Sequence, residues 1–159
     1  MNKRAKELTK QIPNYGKITA SRYKGVKGKA WKILSDYTRM RDFILYGFCV
    51  SCGSRIKDWR ATDAGHYISM GGHGALTGFS DENIHAQCKK CNLYASQHTG
   101  DFYTKEITRR GIDVPELTQR IQKTVKADDF FFIEKILEIR EKFINLKQEY
   151  PEYDYPEYV

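Results

Sequence analysis

An α+β fold is predicted, in which two short strands lie between two cysteine pairs, a short helix follows the second pair, and longer amphipathic helices flank them. Three observations predict it. Cys49 and Cys52 form one Cys-x-x-Cys, and Cys88 and Cys91 form another. The interval between them, rich in glycine and small residues, reads as a strand, a loop and a return strand. On either side, apolar residues recur in three- and four-residue steps, the spacing of a buried helical stripe.

The chain has 159 residues, enough for one domain with a core and terminal extensions. Its 27 Lys and Arg against 20 Asp and Glu leave a net charge of +7, which favours a polyanionic partner, nucleic acid first. Ten of those cations (Lys3, Arg4, Lys6, Lys10, Lys17, Arg22, Lys24, Lys27, Lys29, Lys32) precede residue 33, with only Glu7 opposing them. Residues 1–27 show little periodicity and are expected to form a flexible basic arm. Residues 149–159, EYPEYDYPEYV, hold four acids and no cation, and Pro151 and Pro156 forbid a continuous helix, so an acidic Tyr/Pro tail is expected. Residues 28–148 are the expected domain, with its core at 49–100. The longest apolar run, Phe130 to Ile133, is too short for a signal peptide or membrane span, which points to the cytoplasm and to no membrane partner.

Ala30, Ile33, Leu34, Tyr37, Met40 and Ile44 predict a helix ending near Gly47, leading into the first cysteine pair. In NIHAQC, Ile84 and Ala86 alternate with Asn83, His85 and Gln87, which share the other face of a strand. A short helix follows from Cys91 and stops before Gly100. Asp113, Pro115 and Glu116 mark the start of another helix, with Leu117, Ile121 and Val125 as its buried stripe. Asp128 or Asp129 caps the last, whose stripe is Phe132, Ile136, Ile139, Phe143, Leu146 and Tyr150. That stripe can pack against the helix before Gly47 or against a second copy of the chain.

In a reducing compartment, four cysteines in two such knuckles are the donor set of a tetrahedral structural zinc. The 35 residues from Gly53 to Gln87 exceed the roughly 15–20 of a plain zinc ribbon, so the metal is expected to clamp an inserted element. That clamp would draw together His66 on the outgoing strand, Asn83 and His85 on the return strand, and Asn92 at the helix. A histidine base, an asparagine and oxygen ligands for a divalent cation are what phosphodiester hydrolysis needs.

The order His66, Asn83, Cys88, Cys91, Asn92 resembles the HNH, or His-Me finger, endonucleases with a zinc-bound ββα finger. More narrowly, CVSCG, DAGHY and NIHAQCKKCN together look like the NinG, or Rap, recombination proteins of lambda-like phages, which act on Holliday junctions and other branched DNA. The resemblance implies His66 as general base, Asn83 orienting its ring, Asn92 holding a catalytic magnesium or manganese, and Cys49, Cys52, Cys88 and Cys91 holding zinc. It also implies a phage or prophage protein working in a bacterial host. Many HNH proteins place a metal-binding acid directly before the base, where this chain has Gly65. Asp63 is the nearest acid. Two extra residues displace it by about 6.6 Å along a strand, and Gly65 permits a bulge that would shorten the gap. His85, on the face of Asn83, could touch the scissile phosphate or act as an alternative base. His98 and His73 read as surface and loop histidines.

Arg55, Lys57, Arg60, Lys89 and Lys90 flank the site and are the expected phosphate contacts. No sequence-reading motif is present, and recognition by backbone and shape suits branched substrates such as Holliday junctions and D-loops. Paired cuts across a junction require a two-fold homodimer, with the last helix as candidate interface. Two other readings fit the residues: a noncatalytic zinc-finger accessory protein of recombination, and a general HNH nuclease on linear duplex.

Overall fold

The computed structural model describes residues 3–69, 74–94, 101–121, 123, 125 and 127–159. His73 and His98 lie outside them. The chain divides into two compact units, Met1–Tyr37 with Lys126–Val159, and Thr38–Val125.

The first unit joins the two ends of the chain. Helix α1 (Lys3–Lys10) packs against the long helix α7 (Asp129–Glu149), burying Ala5 while its lysines face solvent. Arg4 lies 4.7 Å over the ring of Phe130. A 3-10 turn (Tyr15–Lys17) follows, and Ile12 and Ile18 on either side of it are buried. The expected flexible arm is therefore corrected for these residues: isolated apolar side chains between the lysines anchor it. Helix α2 (Gly25–Leu45) gives its first half to this unit. Asp128 caps α7 by accepting from the Phe131 amide at 3.1 Å. The stripe Phe132, Ile136, Ile139, Phe143 and Leu146 is buried, and Tyr37 of α2 meets Phe143 edge-on with ring centroids 5.6 Å apart. That stripe is spent inside the chain, which removes it as the homodimer interface.

The tail is also folded. The Tyr155 hydroxyl reaches the Leu146 and Tyr150 carbonyls at 3.0 and 2.9 Å. Tyr158 is buried, with its hydroxyl on Asp36.

The second unit holds the second half of α2 and a two-stranded antiparallel sheet, β1 (Thr62–His66) and β2 (Ile84–Cys88). Between the strands lies a helical turn, α3 (Ala75–Gly78), and after β2 come α4 (Lys89–Leu93), α5 (Asp101–Arg109) and α6 (Val114–Ile121). The Glu116 amide donates to Asp113 Oδ1 at 2.9 Å, the expected start of α6. Val50, Tyr103 and Ile107 form a small core beside the sheet.

The sheet register runs unbroken from Thr62↔Cys88 through Gly65↔His85 to His66↔Ile84. No bulge sits at Gly65, which corrects that expectation. Gly65 instead makes room: a Cβ there would come within 1.6 Å of Gln87 Oε1. The space a side chain at position 65 would take is filled by Gln87.

Candidate metal centre and polar site

Two tight turns build the metal centre. In the first, Phe48 and Arg55 form a bridge, the Cys49 amide donates to the Ser54 carbonyl at 2.8 Å and the Gly53 amide to the Cys49 carbonyl at 2.9 Å. Gly53 takes the left-handed conformation, φ +70°, that lets the chain reverse. In the second, β2 ends on Cys88 and α4 begins at once, turning Cys91 back toward the strand end. The Val50 amide donates to the Ala86 carbonyl at 3.1 Å and the Cys88 amide points at Cys49 Sγ at 3.3 Å, so the two turns are fastened together.

The sulfurs of Cys49, Cys52, Cys88 and Cys91 all lie within 4.8 Å of one another. A tetrahedron with metal–sulfur arms of about 2.3 Å has edges of about 3.8 Å, so the quartet fits one ion with a small contraction. Burial pushes the thiol pKa of Cys91 up, and the neighbouring Cys88 and Cys52 side chains and sulfur charges push it further. Burial opposes charge on Cys52 too, but the Ser54 hydroxyl and amide and its cysteine neighbours bring it down to about 7. Four crowded sulfurs cannot all ionise without a cation among them, and a structural metal such as zinc would supply that charge. Among the described residues, no other group of three or more His, Cys, Asp or Glu side chains is placed to hold a metal.

The polar residues of the finger divide by burial. Asp63, His66 and Asn92 are partly exposed. Asn92 Nδ2, on α4, donates to Asp63 Oδ2, on β1, at 3.1 Å. The structure thus brings together the two expected ligands of a catalytic cation, and the contact needs no bulge because α4 comes to the strand. His66 Nε2 lies 3.3 Å from the Gly78 carbonyl. A carbonyl only accepts, so this contact has Nε2 as the donor, the arrangement that in a neutral imidazole leaves Nδ1 as the basic nitrogen.

Asn83, His85 and Gln87 are each 1% exposed or less. Asn83 does not orient the His66 ring directly. Its Nδ2 donates to the Ile68 and Thr77 carbonyls at 3.0 and 2.9 Å, and its Oδ1 accepts from the Ile68 amide at 2.8 Å. It fixes the backbone two residues past His66 and the backbone just before Gly78, whose carbonyl holds the ring. That makes it a positioning residue.

His85 is corrected more fully. Its Nε2 faces the Glu82 carbonyl at 3.0 Å, its Nδ1 faces Arg41 Nη2 at 3.4 Å and Asp42 Oδ2 at 3.5 Å, and Tyr103 packs edge-on at 5.8 Å. Burial lowers its pKa, and the Arg41 and Arg110 charges add to this against the pull of Asp42. A buried neutral histidine enclosed this way cannot touch a scissile phosphate.

The matching family is that of the Bacteriophage Lambda NinG protein, whose pattern covers residues 2–149. The chain belongs to the NinG family. No curated protein and no solved structure matches it significantly. Membership implies a phage recombination-related role for this NinG-family chain. None of its described helices is long and apolar enough to cross a membrane.

All five expected phosphate contacts, Arg55, Lys57, Arg60, Lys89 and Lys90, are exposed. Arg60 lies 4.8 Å over the ring of Trp59, with Arg39 also over that ring at 5.2 Å. Reading the sequence missed Asp42, the fully buried centre of the second unit. It accepts from Arg41 Nε at 2.8 Å, Arg110 Nη1 at 3.0 Å and the Ala86 amide at 2.8 Å. Arg41 holds its carboxyl well below the ordinary range despite burial, with His85 and Arg110 assisting. The adjacent Arg41-Asp42 pair in RMRDF was its only sequence signal.

Proposed function

We propose that this chain is a metal-dependent, structure-selective DNA endonuclease of the HNH, or His-Me finger, type, acting on branched DNA in phage recombination. The observation that carries the reading is the 3.1 Å contact between Asn92 and Asp63, on the strand that also carries His66, whose Nε2 faces the Gly78 carbonyl. A carboxylate and an amide suit magnesium or manganese, which take oxygen ligands and leave places for water and phosphate. The cation would supply charge stabilisation at the phosphate. His66 would take the proton of the attacking water at Nδ1, with the Gly78 carbonyl keeping the ring in that tautomer. The zinc-held turns fix α4, and so Asn92, against β1. Arg55, Lys57, Lys89 and Lys90 would bind phosphates, and paired cuts would need two copies of the chain meeting through a surface other than the α7 stripe.

A second reading is favoured by the unbroken strand register. It leaves Asp63 and His66 three residues apart, about 10 Å along an ideal strand and on opposite faces. In that case the finger is a scaffold for a noncatalytic DNA-binding accessory protein.

The test incubates zinc-loaded protein with a labelled four-way junction or a matched linear duplex, in magnesium, manganese or EDTA. Metal-dependent, symmetric junction cuts that disappear in His66→Ala are expected. No cutting with any metal supports the accessory reading, and equal cutting of the linear duplex supports a general HNH nuclease.

A further inference from the structure

Five large apolar side chains stand exposed among the described residues, and three of them, Leu93 (76% exposed), Tyr94 (54%) and Phe102 (49%), surround the metal turns. Leu93 ends α4 and Tyr94 follows it, with the Tyr94 amide held by the Lys90 carbonyl at 3.1 Å. Both come directly after Asn92 and within a turn of Cys91, so the sulfur quartet fixes the backbone that carries them. Phe102 lies against Gly53 of the other metal turn, its ring 3.4 Å from where a Cβ would stand. The same short helix exposes Lys89 and Lys90, and the chain carries +7. A partner complementary to this surface offers negative charge and open apolar faces within a few ångströms of each other. Unstacked nucleotides do so: phosphates for the lysines, base faces for the leucine and the tyrosine ring.

We propose that Leu93 and Tyr94 form a base-stacking wedge that recognises the unstacked bases at a DNA branch point. The inference rests on the reading of the chain as a protein acting on branched DNA, and supplies that reading with a source of selectivity. In closed duplex the base faces are covered and only the phosphates are available, so linear DNA engages the lysines alone. At a branch the bases at the crossing expose their faces, and the wedge adds binding that duplex cannot.

The experiment uses the full-length, zinc-loaded His66→Ala protein, so that cutting does not interfere. Its probes are a four-way junction carrying 2-aminopurine beside the crossing and a linear duplex carrying it in the same sequence. Emission should change on binding the junction and stay constant on binding the duplex. Leu93→Ala with Tyr94→Ala should remove that change and weaken junction binding about tenfold, with duplex binding altered less than about twofold. Tyr94→Phe should retain the response, while Lys89→Ala with Lys90→Ala should weaken both substrates alike. Circular dichroism and zinc content report whether each variant is folded.

An unchanged response and junction preference in the folded double-alanine variant would overturn the proposal. So would a double-alanine variant that changes only the sedimentation of the free protein, which assigns the patch to a second copy. Wild-type protein that gives the emission change but cuts no junction keeps the wedge and sinks the nuclease reading. Wild-type protein that cuts junctions with no emission change does the reverse.

Discussion

Strand β1 presents Asp63 and His66 partly exposed, whereas Asn83, His85 and Gln87, on or just before its partner β2, are almost wholly buried. The two strands pair residue for residue, and both carry histidine and an oxygen-bearing side chain. The covering elements decide which of these residues are accessible. Over His85 lie Asp42 and Arg41 from α2, Arg110 after α5 and Tyr103 on α5, so its polar atoms are satisfied internally. Asp63 meets Asn92 of α4 and His66 meets the Gly78 carbonyl, and both side chains stay partly exposed to solvent.

The largest expected effect removes what both strands depend on. Chelating the metal, or Cys91→Ser, should abolish the cooperative unfolding transition of residues 38–125, because structural zinc contributes on the order of 10 kcal/mol at such sites. Metal analysis should return about one zinc per chain. A melting profile indifferent to chelator would show that the finger holds itself together without the ion.

Next in size is the buried anchor. Asp42→Ala takes one of two carboxylate partners from Arg110, whose side chain is 2% exposed and which keeps Glu106, takes the carboxylate from Arg41, and frees the Ala86 amide. It should cost about 3–5 kcal/mol in denaturant unfolding. A loss under about 1 kcal/mol would mean that water reaches the site and that β2 is more enclosed than β1 only in appearance.

A third pair of substitutions sets the strands directly against each other. Asn83→Ala removes the side-chain partner of the buried Thr77 carbonyl and of the partly buried Ile68 amide and carbonyl, and should lower stability by about 1–3 kcal/mol. His66→Ala should change stability by less than about 1 kcal/mol and lower junction cutting by about 10²–10⁴-fold. If His66→Ala proved the more destabilising, its role would be structural and the comparison would invert.

Much of this was legible in the sequence wherever the signal is local. The cysteine spacing announces the metal turns, Asp128 its cap, and the three-four stepping of α2 and α7 their buried stripes. What escaped depends on distant partners. The alternation in β2 suggests an open polar face, and nothing near His85 reveals that Asp42, 43 residues earlier, and Arg110, 25 residues later, close over it. Gly65 suggests a bulge, because the side chain that needs its empty space, Gln87, belongs to the opposite strand. The ends of the chain read as arm and tail because Ala5, Ile12 and Tyr158 are single apolar anchors, too sparse to make a period, yet each is buried.

The smallest expected effect is on pH. Burial holds the His85 pKa below its ordinary value near about 6.5. The unfolded chain therefore takes up a proton as pH falls through about 6.5 before the folded chain does, and stability drops with pH over that range. Asp42, held low, adds a loss only below about pH 4. Acid also weakens zinc binding, so the informative quantity is a difference measured in excess zinc: wild type against His85→Gln, from pH 7.5 to 5.5. The wild type should lose stability more steeply, by no more than about 1.4 kcal/mol per pH unit, the limit for one proton. Parallel slopes would place His85 in contact with water as freely as His66, and the division of the finger into a closed strand and an open one would fail at its clearest residue.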